Sequence, residues 1–221
     1  RVVQINADGS RTVLAARYEG KRFNQPTDIA VAPDGSIYFT DPFSSSMGNA
    51  VAGYDTRVTG PSQPLFGIYR IDPQGRVTLA YGELKYPSTI SISPDGHTAY
   101  VSNTNATFDL KALTIQADGS LGELRTFAGI FGLGSAVDSD GNVYATDAVN
   151  ERVDILSPTG KKIGSIKTPA RPSDVAFSGN TLYITGMGAV WAIDLNANGT
   201  NHAATAVQAA SWAALKLEMG R

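Results

Sequence analysis

Four stretches of the chain share one pattern of apolar and polar positions. Each has a mainly apolar run, a tight turn and a second apolar run, and they begin at Pro26, Pro87, Gly132 and Pro172. In the first, "PTDIAVAPDGSIYFTD", the turn is Asp-Gly, and Asp-Gly or Gly-Asn takes its place in the other three. Asp-Gly between β-rich runs indicates a hairpin, because a type I′ turn needs positive φ at both central residues. The sequence therefore predicts four equivalent β-hairpins.

A second, more polar class of hairpin alternates with these inner hairpins. Its segments are 2–15, 67–80, 110–127, 152–167 and 189–199. The inner runs are apolar on nearly every residue, as expected of strands covered on both faces. Inner hairpins start 61, 45 and 40 residues apart, in the range of propeller blades. The predicted fold class is all-β, a β-propeller of four-stranded blades; an ordinary β-sandwich is the alternative, but it would not explain four near-copies of one hairpin.

The hairpins do not close a ring. Residues 1–15 are the outer half of a blade whose inner half is absent, so that about four and a half blades are visible. We expect residues 1–221 to form a single propeller domain from which about one and a half N-terminal blades are missing. The Ala-rich segment 203–220 favours a helix, and a strand that closes the ring is the alternative.

Composition excludes several classes of function. Among 221 residues, 17% are charged and the net charge is −2, so neither nucleic acid nor an anionic membrane is expected as partner. The absence of cysteine excludes disulfides and thiolate sites. A serine triad is disfavoured because the two histidines, His97 and His202, lie away from the expected channel mouth. The low charge favours an extracytoplasmic (periplasmic or secreted) location, the start at Arg1 is compatible with removal of a signal peptide, and a cytoplasmic location stays open.

The first position of each inner strand is expected to face the propeller axis. These channel positions are Thr27, Ser88, Leu133 and Ser173. Asp28 and Asp174 follow two of them, and since strand side chains alternate in direction, we expect them to point away from the axis and brace strand ends.

Other polar residues belong to loops on the same face. They are candidates for binding the polar groups of a small-molecule substrate, or for capping loop backbone and carrying ordinary surface charge. The longest loop, 42–66, is a candidate lid. The substrate-binding candidates are Asp41, Asn103, Asp147, Tyr54, Arg57, Arg22 and Arg171. We expect a small molecule, anionic or a sugar acid, at this channel mouth.

Three segments resemble a known family. "YEGKRFNQPTDIAVAPDGSIYFTDP" (18–42), "YPSTISISPDGHTAYVSN" (86–103) and "SAVDSDGNVYATD" (135–147) are similar to the senescence marker protein, gluconolactonase and luciferin-regenerating-enzyme family. The resemblance implies a six-bladed propeller and, in many members, sugar-lactone hydrolysis. It also implies a divalent cation on the axis, calcium or a similar hard ion, which polarises the lactone carbonyl.

The resemblance places three of the family's metal ligands at substituted positions. Where the family has Asn, Asn and Asp, this chain has Thr27, Ser88 and Leu133, and the family's Glu would lie in the missing part. We therefore assign no metal ligand and no catalytic residue, and expect no cofactor unless the family's cation site is retained.

Three functions remain open on these residues. The first is a divergent sugar-lactone or ester hydrolase with a degenerate axial metal site. The second is a non-catalytic ligand-binding or scaffold propeller. The third is a metal-independent enzyme of the strictosidine-synthase-like kind, which would need an acidic side chain at the channel mouth, such as Asp41 or one in the 42–66 loop.

Overall fold

The computed structural model describes residues 1–43, 61–104 and 108–200, and within them the secondary structure is entirely β. The strands are β1 Val2–Ile5, β2 Arg11–Ala15, β3 Arg17–Tyr18, β4 Lys21–Arg22, β5 Ile29–Val31, β6 Ile37–Asp41, β7 Gly67–Ile71, β8 Val77–Tyr81, β9 Pro87–Ile92, β10 Thr98–Asn103, β11 Asp109–Ile115, β12 Leu121–Ala128, β13 Ser135–Val137, β14 Val143–Asp147, β15 Arg152–Leu156, β16 Lys162–Lys167, β17 Pro172–Ser178, β18 Thr181–Gly186 and β19 Ala189–Asp194. No helix able to cross a membrane occurs in these ranges.

The strands form four antiparallel sheets that succeed one another along the chain. Blade 1 is β5–β8, blade 2 is β9–β12, blade 3 is β13–β16, and blade 4 is the three-stranded β17–β19. Two small hairpins, β1–β2 and β3–β4, precede them. The inner strands β5, β9, β13 and β17 are neighbours in that order and line a common channel. The all-β propeller predicted from the hairpin repeat is confirmed.

Apolar layers between successive blades position the inner strands. Tyr38 and Ile68 of blade 1 pack against Ile90 and Leu113 of blade 2, and similar layers join blades 2 and 3 and blades 3 and 4. The β1–β2 hairpin covers the other face of blade 1, where Phe23 meets Phe39 edge-on. Burying each such side chain contributes roughly 1.5–3 kcal/mol.

The turns of the inner hairpins differ from the predicted type I′ geometry. In "APDGS" the Gly35 N–H donates to the Ala32 carbonyl at 2.9 Å, and the Ala32 N–H donates to the Ser36 carbonyl at 2.8 Å. Only the glycine has positive φ, +85°, so the loop is a type I turn followed by a glycine bulge. Proline before Asp34 suits this turn, because its fixed φ matches the first central position. Positive φ at both central residues occurs instead at Glu19 and Gly20, between β3 and β4.

Of the outer hairpin predicted over residues 189–199, the first strand forms and the second does not. Its first run is β19, but the following residues leave the blade, and Gly199 forms an isolated bridge with Asp138 of blade 3. A Cβ on Gly199 would lie 2.0 Å from the Phe177 Cβ, so glycine permits this close passage. The other four outer hairpins form as predicted, and segment 203–220 lies outside the described residues.

Candidate functional site

The four inner strands enclose a cleft of about 340 Å³. Each blade contributes to the wall, and the polar lining groups include Asp28, Ser91, Ser135 and Asp174. The hydroxyls of Ser91 and Ser135 share a hydrogen bond of 2.8 Å between β9 and β13. The cleft is therefore bordered by carboxylate and hydroxyl groups carried on or next to the inner strands.

The four predicted channel positions hydrogen-bond within their own blades. The hydroxyl of Thr27 donates to the Gln25 carbonyl at 2.8 Å, and that of buried Ser88 to the Ser102 carbonyl at 3.5 Å. The Leu133 N–H donates to Thr146 Oγ1 at 2.9 Å, and Ser173 shares a hydrogen bond of 2.9 Å with Thr185. The walls of the cleft itself begin one position later in blades 1 and 4, at Asp28 and Asp174.

These residues do not fit a calcium ion. Calcium prefers six to eight oxygen ligands, several of them carboxylates, whereas Thr27 and Ser88 offer hydroxyls and Leu133 offers no donor. Among the described residues, no three His, Asp or Glu side chains are grouped so as to hold a metal.

Asp28 braces the next blade, as its position predicts. Its Oδ2 accepts hydrogen bonds from Thr89 Oγ1 at 2.8 Å and from the Ile90 N–H at 2.7 Å, both on β9. Burial raises the pKa of Asp28 above its usual range, although these donors and the Ile29 N–H oppose the shift. The carboxylate thus joins blades 1 and 2 beside the cleft.

Asp174 occupies the same position in blade 4. Its Oδ1 accepts the Val175 N–H at 2.8 Å, and its Cα lies so close to β13 that a Cβ on Gly134 would meet it at 2.4 Å. Burial, followed by the nearby charge of Asp28, raises the pKa of Asp174 to about 6, while the Val175 N–H opposes the shift. Strand alternation predicted that Asp174, like Asp28, points away from the axis, but both residues line the cleft.

The three strand-end candidates are buried and hold loop backbone. Asp41 Oδ2 accepts the Asn24 N–H at 2.8 Å, Asn103 Oδ1 accepts the Tyr86 N–H at 3.0 Å, and Asp147 accepts the Asn150 N–H at 3.1 Å. Asp147 also pairs with Arg152. Of the two roles that the sequence left open for these residues, substrate binding and capping of loop backbone, the hydrogen bonds in the structure directly support capping.

Asp41 differs from the other two in its second oxygen. Its Oδ1 is buried and has no hydrogen-bond partner among the described residues. Burial raises the pKa of Asp41 to about 6, against the N–H groups of Asn24 and Gln25.

The two cationic candidates in described loops have different surroundings. Arg22 is exposed on β4, whereas the guanidinium of Arg171 lies over the ring of Phe131, 5.4 Å from its centroid. Phe131 in turn meets the ring of Phe108. These two aromatic residues were missed, although both lie in loops expected on the mouth face. Tyr54, Arg57 and His202 fall outside the described residues.

The fold and cleft define an all-β propeller with a polar channel wall, and sequence comparison gives its family. Residues 1–188 match the family described as SMP-30/Gluconolactonase/LRE-like region, and the chain belongs to this family of gluconolactonase-like propellers. A gluconolactonase from Zymomonas mobilis subsp. mobilis is 31% identical over 191 residues, 79% of this chain and 51% of that protein. The chain therefore spans about half the length of this relative.

Solved structures support the same fold. A gluconolactonase from Xanthomonas campestris is 31% identical, with a TM-score of 0.74 over 87% of this chain and 64% of that one. Regucalcin from Agrobacterium tumefaciens, a calcium-binding protein, is 22% identical with a TM-score of 0.64 and covers 88% of this chain and 68% of its own. That second likeness shows the fold alone.

Proposed function

We propose that this chain is a divergent sugar-lactone or ester hydrolase that acts at the cleft between its inner strands, with a degenerate axial metal site. The observation that carries the proposal is the match to a gluconolactonase-like family over residues 1–188. The relative from Zymomonas mobilis is itself a gluconolactonase.

The chain's own residues suit binding of a lactone more clearly than its hydrolysis. Asp28 and Asp174 present carboxylates at the cleft wall, and the hydroxyls of Ser91 and Ser135 lie between them along the inner strands. Such groups can hydrogen-bond the hydroxyls of a small polar ligand. Of the two carboxylates, Asp174 has the fewer hydrogen-bond donors, so it is the better placed to accept a proton from an attacking water.

The substituted ligand positions favour a second candidate function, a non-catalytic ligand-binding propeller. Leu133 stands where the resemblance expects an acidic ligand, and it has no polar side-chain atom. A metal-independent hydrolase, the third function open from the sequence, would depend on an acidic side chain at the channel mouth, Asp41 or one in the 42–66 loop, or on Asp174 in the cleft wall.

The test is pH-stat hydrolysis of a panel of sugar lactones by the purified chain, with added calcium and then with chelator. We expect acid release above the spontaneous rate that the chelator does not abolish. Release that the chelator abolishes would mean that a metal site survives, contrary to a degenerate site. No release in either condition would reject hydrolysis for this chain and leave the ligand-binding candidate.

A further inference from the structure

We propose that the mouth of the channel binds a carboxylate carried on an apolar or aromatic carbon skeleton, through Arg171, Phe131 and Phe108. This inference narrows the proposed function to its ester-hydrolase form and rests on it for its link to turnover, because hydrolysis of an ester of such an acid by water gives an alcohol and a carboxylate that the site would hold. We call these three residues the mouth cluster.

The mouth cluster is assembled from three separate connections. Phe108 comes from the loop between β10 and β11, Phe131 from the loop before β13, and Arg171 from the loop before β17. The Phe131 ring meets the Phe108 ring at 4.5 Å with an interplanar angle of 88°, and its face supports the Arg171 guanidinium at 5.4 Å. The contacts therefore join residues of blades 2, 3 and 4 at the face where the inner strands begin.

Arg171 is exposed and has no acidic partner among the described residues. Three other arginines are paired, Arg70 with Asp34, Arg76 with Asp72 and Arg152 with Asp147, whereas Arg11, Arg17, Arg22 and Arg125 are, like Arg171, without an acidic partner among the described residues. A guanidinium over an aromatic ring is held in orientation, while its N–H groups remain available as a planar fork that matches a carboxylate. The geometry therefore gives an oriented cation whose N–H groups have no acidic partner in the described part of the chain.

Phe108 indicates what the rest of the ligand is like. Its φ is +39°, a left-handed conformation that costs free energy in a residue with a bulky side chain. Its side chain remains 45% exposed, so burial repays only part of that cost. The strained backbone presents an aromatic surface against Phe131, the ring over which Arg171 lies. Such a surface suits an apolar body and would desolvate the hydroxyls of a sugar acid without offering them partners.

The experiment is isothermal titration calorimetry of the 221-residue chain with benzoate, gluconate and benzyl alcohol. We expect benzoate to bind at least tenfold more tightly than gluconate, which lacks the apolar body, and than benzyl alcohol, which lacks the charge. Gluconate affinity equal to that of benzoate would overturn the ligand class.

A matched pair of variants separates Arg171 from general charge effects. Arg125 lies over the Phe127 ring at the same 5.4 Å, on outer strand β12. We expect Arg171→Gln to weaken benzoate binding at least tenfold and Arg125→Gln to leave it within twofold. Equal losses in both variants would reject the mouth cluster as the site.

The substitution Phe108→Gly separates a binding role of Phe108 from a purely structural one, because Tm and benzoate affinity should change in different ways. Glycine relieves the positive φ, so Tm should stay the same or rise while benzoate affinity falls. A fall in Tm, or unchanged affinity, would remove Phe108 from the proposal. Binding is measured without turnover: hydrolysis without benzoate binding would reject this inference alone, and benzoate binding without hydrolysis would reject only the proposed activity.

Discussion

Asp41 shows how a single carboxyl can couple the stability of the fold to pH. It ends β6 with one oxygen bonded to the Asn24 N–H and the other without a partner among the described residues, fully buried. Burial of a charge in this setting disfavours ionisation, which is why its pKa is raised to about 6.

The sign of the effect follows from proton binding. Between the ordinary pKa of 3.8 and the folded value of about 6, the native state holds more protons than the unfolded chain. The free energy of unfolding therefore falls as the pH rises through this interval and levels off above it. The full change in the free energy of unfolding attributable to Asp41 is about 3 kcal/mol. Its pKa rises from 3.8 in the unfolded chain to about 6 in the fold, and each pKa unit corresponds to about 1.36 kcal/mol.

We predict that Asp41→Asn removes this slope. Urea unfolding of both proteins from pH 4 to pH 7 should show the parent chain losing stability relative to the variant, because asparagine keeps an acceptor for the Asn24 N–H but carries no charge. Exposed Asp8, whose pKa is lowered by hydrogen bonds from Ser10, is the control: Asp8→Asn should retain the slope of the parent. Parallel curves for the parent and Asp41→Asn would show that Asp41 is ionised without penalty.

At the scale of elements, Asp28 and Asp174 hold equivalent positions with unequal contacts. Asp28 accepts the Thr89 hydroxyl and the Ile90 N–H of the neighbouring blade. Asp174 accepts the N–H of Val175, the next residue in its own strand. The same residue type at the same place in the repeat therefore joins two blades in one case only.

We predict that Asp28→Ala destabilises the fold by about 2 kcal/mol, because it leaves the N–H of buried Ile90 without a partner. Asp174→Ala should leave the free energy of unfolding at pH 7 unchanged or raise it, since no inter-blade donor is lost and the raised pKa of Asp174 means that the fold disfavours its charged form. Urea midpoints at constant slope would measure both. Equal effects of the two substitutions would mean that the inter-blade bonds do not account for the loss.

The hydrophobic pattern predicted the blades because strands packed between neighbouring blades are buried on both faces. Their sequences are therefore apolar at nearly every position. The pattern could not distinguish the two glycine turn geometries, since both place glycine after Asp; the proline at position 33 was the available signal. The segment 189–199 was predicted as an outer hairpin, yet the residues after β19 leave the blade and Gly199 forms a bridge with Asp138. Local turn propensity carries no information about that long-range pairing.

The candidate site was harder to predict than the fold for a related reason. Residue type identified Arg171 as exposed and cationic, but the ring under it belongs to a different blade, 40 residues earlier in sequence. Likewise, alternation along one strand predicted that Asp28 and Asp174 point away from the axis, whereas both line the cleft, and it did not predict the approach of β17 to Gly134. Such contacts depend on how the blades are arranged around the axis, and the sequence pattern of a single strand does not predict that arrangement.

At the scale of the whole molecule, the four blades are unequally covered. One tyrosine recurs at the third position of each second inner run: Tyr38, Tyr100 and Tyr144 are 1%, 3% and 4% exposed, whereas Tyr183 of blade 4 is 41% exposed. Val190 on the adjacent strand is 61% exposed. Among the described residues, blade 4 thus has an apolar face without the covering layer that its counterparts have.

We predict that native-state hydrogen exchange is at least tenfold faster in β18 than in β10, because strands with fewer covering contacts open at lower free energy. Backbone amides of Thr181–Gly186 and Thr98–Asn103 provide the matched comparison. Equal protection at dilute protein would contradict the prediction and indicate that blade 4 is covered in solution.

The glycine bulge turns recur in inner and outer hairpins alike, at Gly35, Gly75, Gly141 and Gly160. They lie at the ends of the hairpins, away from the loops that carry Phe131 and Arg171. The molecule therefore separates the parts that maintain its architecture from the parts that determine chemical recognition. Such a division favours evolvability: new specificities can arise by exchanging entry loops, while the repeated turns keep strand register and leave the frame unaltered.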